Sequence, residues 1–138
     1  MSSPDFQDAL RRARTIAVVG CSPRAFQTSH RIARYLQGVG YRIVPVNPHQ
    51  AEILGEVAYP DLVSIPETCV VDIVNVFRRP EHTPGVAQDT ADRAERTGQS
   101  PLIWTQLGVH HPDAERIARE AGLPYIANRC IMVDHAAL

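Results

Sequence analysis

The turn after the first apolar run of the chain has the residues to bind a phosphate group. The run ends at Gly20, which allows a sharp turn, and a helix is predicted to follow. The start of that helix would present free backbone N–H groups and the positive end of its dipole. Ser22, Thr28 and Ser29 add hydroxyl donors, and Arg24 can form charge-assisted hydrogen bonds. The segment therefore predicts a phosphate-binding loop.

This loop departs from the dinucleotide fingerprint. The pattern G-x-G-x-x-G/A is met only as Gly20, Ser22 and Ala25, and a side chain at the second position keeps the backbone further from a pyrophosphate. Dinucleotide sites also place an acid at the end of the second strand, whereas this chain has Asn47 followed by Pro48. An acid there would repel a phosphorylated ribose. The residues thus favour a nucleotide with an extra phosphate over NAD.

The elements that must position this loop alternate between strand and helix. The predicted strands are Thr15–Val19, 41–47, 56–59, 70–77, 101–105 and 125–127. The helices are predicted to begin at the Ser3-Pro4 pair, at a cap formed by Thr28 or Ser29, at Thr83 and at Pro112. Such alternation is typical of a mostly parallel sheet with helices on both faces, an α/β fold.

Ligands of such sheets bind beyond the carboxyl ends of the strands, where the strand order reverses. Polar or flexible residues follow four predicted strands directly, although strand-to-helix loops are polar in most α/β proteins. We therefore predict a site at this edge of the sheet. Its candidate ligand-binding residues are Gly20, Cys21, Ser22, Arg24, Thr28, Ser29, Asn47, Pro48, Phe77, Arg78, Gln106 and Gly108.

Composition narrows the class of protein. A length of 138 residues with 44% hydrophobic residues predicts one globular domain, residues 1–138. The net charge of −1 argues against nucleic-acid binding, because a basic footprint is missing. No apolar run approaches the roughly 20 residues of a membrane span, and residues 1–14 lack a signal-peptide core, so we expect a cytoplasmic protein. The chain has no lysine, which excludes Schiff-base chemistry and a Walker-type lysine.

Several blocks of the sequence together resemble a known family. They are VVGCSPR, SHRIARYLQGVGYRIVPVNP, ILGEVAYPDLVSIPE, VDIVNVFRRPE, IWTQLGV and EAGLPYIANRCI, in this order from about Thr15 to Cys130. The chain resembles the small stand-alone CoA-binding proteins of bacteria and archaea, the YccU-like CoA-binding domain family. That family is similar to the CoA-binding domain of the succinyl-CoA synthetase α subunit.

The resemblance implies a three-layer Rossmann-like fold with strand order 3-2-1-4-5-6 and a short third strand. It also implies coenzyme A, or acyl-CoA, as the ligand. It places Gly20, Ser22 and Ser29 in the phosphate loop, and Asn47 and Pro48 beside the adenosine. It also places Phe77 and Arg78 at the site after the fourth strand, and Gln106 and Gly108 after the fifth strand.

Three separated cysteines predict neither a disulfide framework nor a zinc site. Cys21 precedes a predicted helix start and lies near Arg24, and both groups favour its thiolate. Under oxidising conditions this thiolate could form a mixed disulfide with CoA, but the CoA thiol lies at the far end of the pantetheine arm, and geometry therefore disfavours this adduct. Cys130, near the end of the last strand, is the alternative partner for that thiol. Neither a catalytic residue nor a metal site is predicted, although His110 and His111 could approach Cys130 through folding.

The predicted function is therefore CoA binding without a self-contained active site, in a monomer or homodimer whose protein partner the sequence does not identify. Two alternatives remain open at this stage. One is an NAD(P)-binding oxidoreductase-like protein, which Ser22 and Asn47 disfavour. The other is a regulatory interaction protein whose nucleotide pocket is vestigial.

Overall fold

The computed structural model describes residues 5–138, which form seven β-strands and five α-helices. The strands are β1 (Thr15–Val19), β2 (Arg42–Val46), β3 (Glu52–Ile53), β4 (Glu56–Val57), β5 (Ile73–Val76), β6 (Leu102–Thr105) and β7 (Tyr125–Ile126). The helices are α1 (Phe6–Arg12), α2 (Thr28–Gly38), α3 (Thr83–Thr97), α4 (Pro112–Glu120) and α5 (Ile131–Ala136).

Five of the strands form one parallel sheet in the order β2-β1-β5-β6-β7. The chain runs outward from β1 to β2 and then crosses back to β5, so the strand order reverses beside β1. The Rossmann-like α/β fold is thereby confirmed. The expected third strand over 56–59 is much reduced: β4 pairs with β3 in a small antiparallel hairpin, and Tyr59 alone makes a parallel bridge to Val46.

Helices cover both faces of the sheet because successive strand residues point to opposite sides. On one face Ile16 and Val18 pack with residues of α1, α2 and α5. On the other face Ala17 and Val19 pack with α3, α4 and the segment between β4 and β5. Every residue of β1 is buried, which explains its continuous apolar pattern. The packed layers hold the carboxyl ends of the strands in fixed positions.

Three predicted helix starts can be compared with the structure, and α3 begins at Thr83 as predicted. The predicted cap of α2, Thr28 or Ser29, was wrong. The cap is Gln27, whose side chain makes no capping hydrogen bond. Helix α4 begins at Pro112 as predicted, and His111 caps it, because its Nδ1 accepts a hydrogen bond from the Asp113 N–H at 3.0 Å. The predicted Ser3-Pro4 start lies outside the described residues. The cap that the structure shows for α1 is Asp5.

The final helix, α5, was not predicted from the sequence. An ion pair secures its start: Asp134 accepts hydrogen bonds from the Arg129 guanidinium at 2.7 and 2.9 Å. The same guanidinium lies 4.2 Å from the centre of the Phe6 ring, and the Trp104 indole donates to the Arg129 carbonyl. These contacts fix the segment after β7 against the sheet. Within residues 5–138, no helix combines the length and the apolar character needed to cross a bilayer.

Candidate functional site

Three strand ends meet at Gly20. Its backbone N–H donates to the Val46 carbonyl at 3.0 Å, and its φ of +85° is one that residues with side chains rarely adopt. A β-carbon there would lie 3.1 Å from the Phe77 carbonyl oxygen and 3.2 Å from Cδ of Arg78. The turn after β1 is therefore pressed against the loop after β5, and the position requires glycine for both conformation and space.

The loop between Gly20 and α2, which we call the phosphate loop (residues 20–29), is held in shape by its own side chains. The Ser22 N–H donates to Oγ of Ser29 at 2.9 Å, and the Arg24 N–H donates to Oγ of Ser22 at 3.1 Å. Nδ1 of His30 and the Ser22 carbonyl oxygen are hydrogen-bonded at 2.9 Å. Since a carbonyl can only accept, Nδ1 is the donor. Each of these two serine hydroxyls keeps its own O–H as a donor, and the Ser22 side chain is half-buried whereas Ser29 is buried.

Asn47 joins the phosphate loop to the end of β2. Its side-chain amide donates to the Cys21 carbonyl at 3.0 Å, and its Oδ1 accepts from the His49 N–H at 2.8 Å. Both functional groups of this side chain are thus used within the protein. The sequence predicted a neutral residue that tolerates a phosphorylated ribose, and the structure adds a clamp between two loops.

The beginning of α2 offers hydrogen-bond donors to an anion. The first N–H groups of any α-helix have no intrahelical acceptor, and at α2 no side chain caps them. Arg24 and Thr28 are exposed beside them, and Arg24 forms no ion pair within residues 5–138. Uncapped donors and the helix dipole favour negative charge at this position.

Arg78 lies beside the turn at Gly20. Its side chain is half-buried, lies across the turn through Cδ, and forms no ion pair with another described residue. Arg79 follows it directly but is exposed. The loop after β5 therefore supplies one arginine beside the phosphate loop.

Gln106 and Gly108, also predicted site residues, belong to a second cluster after β6. Gln106 is buried and its Oε1 accepts from the Ile131 N–H at 3.4 Å. The Gly108 N–H donates to Oδ1 of Asn128 at 2.6 Å, and the Asn128 N–H donates to Oγ1 of Thr105 at 3.0 Å. Within residues 5–138 no hydrogen bond joins these two residues to the phosphate loop.

Asn128 is the residue in this region that the sequence reasoning missed. Its φ of +60° is sterically unfavourable for most side chains, but asparagine tolerates this region. An asparagine immediately after the last strand was the available signal, and its role depends on the β6 loop, which is distant in sequence. Pro48, another predicted site residue, is exposed at the end of β2, next to Asn47.

The prediction that Cys21 favours the thiolate is wrong. Its side chain is fully buried in the core beneath the phosphate loop, and burial raises the pKa of the thiol to about 11. Its burial among apolar side chains outweighs the effect expected from the helix dipole and Arg24. Cys130 is half-buried at the start of α5. Among the described residues, no group of three or more His, Cys, Asp and Glu could hold a metal ion.

A groove of about 680 Å³ lies between α3 and α4, on the opposite face of the sheet from α2. Asp92, Glu95 and Glu120 are among its lining residues. These carboxylates outnumber Arg116, the one arginine of the lining, so the groove disfavours a phosphate ligand, whereas the carboxyl edge of the sheet presents uncapped N–H groups and arginines. The carboxyl edge is therefore the better candidate site for an anionic nucleotide.

Comparisons with known proteins connect this site to a family. The family model described as CoA binding domain matches residues 14–136. The Bacillus subtilis protein YneT is 39% identical over 135 residues, which cover 98% of this chain and 95% of that protein. An acetate–CoA ligase (ADP-forming) of Archaeoglobus fulgidus is 33% identical over 124 residues, 86% of this chain but only 18% of the ligase.

Solved structures share the whole fold. A hypothetical protein from Pyrococcus horikoshii superimposes with a TM-score of 0.89 and 32% identity, over 100% of this chain and 92% of that chain. The described elements, including α5 after β7, thus lie within the region shared with that protein.

Proposed function

Because this chain belongs to the CoA-binding domain family, we propose that it binds coenzyme A, or an acyl ester of it, at the carboxyl edge of its sheet. The observation that carries the proposal is the junction of three strand ends at Gly20. There the phosphate loop lies against the ends of β2 and β5, beside the point where the strand order reverses.

The arrangement suits the anionic part of CoA, which carries a pyrophosphate and a further phosphate on its ribose. The uncapped N–H groups of α2 would receive the pyrophosphate, and the absence of a side chain at Gly20 keeps the turn compact. Arg78 would add a charge-assisted hydrogen bond from the loop after β5. Asn47 would hold the phosphate loop and the end of β2 together at the spacing that the ligand needs.

The loops after β6 and β7 are proposed to receive the other end of the ligand. Gln106 and Gly108 lie two strands away from β1, and Asn128 and Ile131 fix their position. This placement would let the pantetheine arm run along the edge of the sheet, away from the phosphate loop. Cys130 lies at that end, whereas Cys21 is buried beneath the phosphate loop.

NAD is a poorer ligand for this site. The second glycine of the dinucleotide fingerprint is Ser22, and the acid that binds ribose hydroxyls is replaced by Asn47. One N–H and one lone pair of the Asn47 amide are already hydrogen-bonded within the protein, and its single oxygen cannot replace the two carboxylate oxygens that bind a pair of ribose hydroxyls. We therefore propose a CoA-binding module that presents its ligand to other proteins rather than an oxidoreductase.

A thermal-unfolding experiment with CoA, NAD and ATP tests the proposal. A ligand at 100 times its dissociation constant stabilises the folded state by about 2.7 kcal/mol. We expect CoA to raise the melting temperature and NAD and ATP to raise it less. Equal shifts with CoA and NAD would favour an oxidoreductase-like site, and no shift with any nucleotide would favour a vestigial pocket.

A further inference from the structure

The net charge of −1 conceals a strong separation of charge along the chain. The segment from Ala9 to Ala51 contains seven arginines and no aspartate or glutamate. The segment from Glu52 to Leu138 contains seven arginines and thirteen acids. The first segment holds β1, the phosphate loop, α2 and β2, so the strand-helix-strand unit that carries the candidate site is purely basic.

The fold turns this sequence pattern into a polarised molecule. Helix α2 lies on one face of the sheet, while α3 and α4, which line the acidic groove, lie on the other. Arg31 and Arg34 are exposed on α2 and form no ion pair within residues 5–138. On α4, in contrast, Arg116 and Arg119 pair with glutamates one turn away.

We propose that Arg31 and Arg34 steer CoA electrostatically to the phosphate loop and so favour ligands that carry the additional ribose phosphate. This inference rests on the proposed function. A rise of about 1.5 Å per residue places Arg31 about 4.5 Å and Arg34 about 9 Å along the helix from Thr28. The Debye length is about 10 Å at 0.1 M salt. Both arginines therefore lie within about one Debye length of the helix end that would receive the phosphates.

Their unpaired state is what makes these two arginines effective. An arginine beside a carboxylate contributes little field beyond the pair, whereas Arg31 and Arg34 add to the positive end of the α2 dipole. One acid, Glu81, follows β5 in the short 3-10 helix Pro80–His82, near the carboxyl edge of the sheet. Its negative charge lies on the β5 side of that edge and not on the β1 side. The field therefore favours approach from the β1–α2 side.

Stopped-flow measurement of CoA association tests this proposal with a matched pair of variants. Arg31→Gln/Arg34→Gln and Arg116→Gln/Arg119→Gln change the net charge equally but on opposite faces of the sheet. We expect the first variant to lower the association rate constant about 3- to 10-fold at low salt and less than about twofold at 0.5 M salt. The second should change it less than about twofold at either salt concentration.

Two further measurements complete the test. Arg31→Lys/Arg34→Lys keeps the charge and should restore the wild-type association rate, and circular dichroism of each variant verifies that the fold is intact. Equal rates for the two glutamine variants, or an effect only on the dissociation rate constant, would overturn steering while CoA binding stands. If the wild-type protein does not bind CoA, the proposed function fails and this inference fails with it.

Discussion

Gly20 and Phe77 touch through their backbones: a β-carbon at Gly20 would lie 3.1 Å from the Phe77 carbonyl oxygen. The two residues follow neighbouring parallel strands, β1 and β5. Their contact sets the distance between the phosphate loop and the loop that carries Arg78. The geometry of the candidate site thus depends on a position where no side chain fits.

Gly20→Ala should destabilise the protein more than Gly98→Ala does. Both glycines have positive φ, +85° and +76°, but a β-carbon at Gly98 meets nothing within 4 Å. Gly98→Ala should therefore cost only the backbone penalty, about 1–2 kcal/mol. At Gly20 the clash with Phe77 should add about 1–3 kcal/mol. Urea unfolding measures both, and equal losses would show that the two loops can move apart freely.

Asn47→Ala should weaken CoA binding and lower the free energy of unfolding by about 1–2 kcal/mol, because the hydrogen bonds to Cys21 and His49 are lost. Asn47→Asp should weaken CoA binding further. It keeps the acceptor for the His49 N–H but cannot donate to the Cys21 carbonyl, and it adds negative charge. Calorimetry of the two variants and of the control His49→Ala checks this. An unchanged dissociation constant in Asn47→Asp would contradict the assigned role.

Arg78→Ala should raise the dissociation constant for CoA about tenfold or more, since a hydrogen bond to a charged group contributes roughly 1.5–3 kcal/mol. The fold should survive because the guanidinium makes no ion pair within residues 5–138. Arg79→Ala is the matched control, as this exposed neighbour should have little effect. Calorimetry that finds similar constants for both variants would show that Arg78 acts only as a surface charge.

The layered fold could be predicted from sequence because its signals are local. Continuous apolar runs such as Thr15–Val19 correctly indicated buried parallel strands, and Pro112 correctly marked the start of α4. The predicted edge strand over 56–59 was too long. A short run such as Glu56–Val57 fits a hairpin as well as a sheet edge, and in the structure it pairs in a hairpin. Helix α5 was missed because the segment before it is held by contacts of Arg129 with Phe6 and Trp104, which are distant in sequence.

The site was predicted less completely than the fold. The position of the turn after β1 follows from the strand that precedes it, and the structure has this turn at Gly20 as predicted. That the turn binds phosphate stays a prediction. What each side chain contacts depends on tertiary packing: Asn47 is a clamp, and Cys21 points into the core rather than toward solvent. The roles of Gln106, Gly108 and Pro48 toward a ligand stay predictions.

Cys21 should resist alkylation in the folded protein. Burial raises the pKa of its thiol to about 11, so the reactive thiolate is scarce at pH 8 and becomes abundant only as the pH rises through that value. We expect iodoacetamide to modify Cys21 roughly 100-fold more slowly in the native chain than in urea at pH 8. The Cys69→Ser/Cys130→Ser variant isolates this thiol for mass spectrometry. Similar rates in both states would show that Cys21 is accessible.

The same thiol should make stability depend on pH. Because the folded-state pKa lies above the reference value of 9.0, the folded state binds this proton more tightly. Its stabilising contribution is complete below about pH 9 and is lost as the pH rises toward 11. Unfolding of the wild type and of Cys21→Ala between these pH values measures it. An equally steep fall in both proteins would contradict this origin.

The central claim is that CoA binds at the carboxyl edge of the sheet, and a titration of ¹⁵N-labelled protein with CoA, followed by two-dimensional NMR, tests it most directly. We predict saturable shifts of the amide signals of the phosphate loop, of Asn47 and of Phe77–Arg78. Amides of the groove between α3 and α4, such as those of Ala91 and Glu95, should stay unchanged. A spectrum that CoA does not alter, or shifts confined to that groove, would contradict the account.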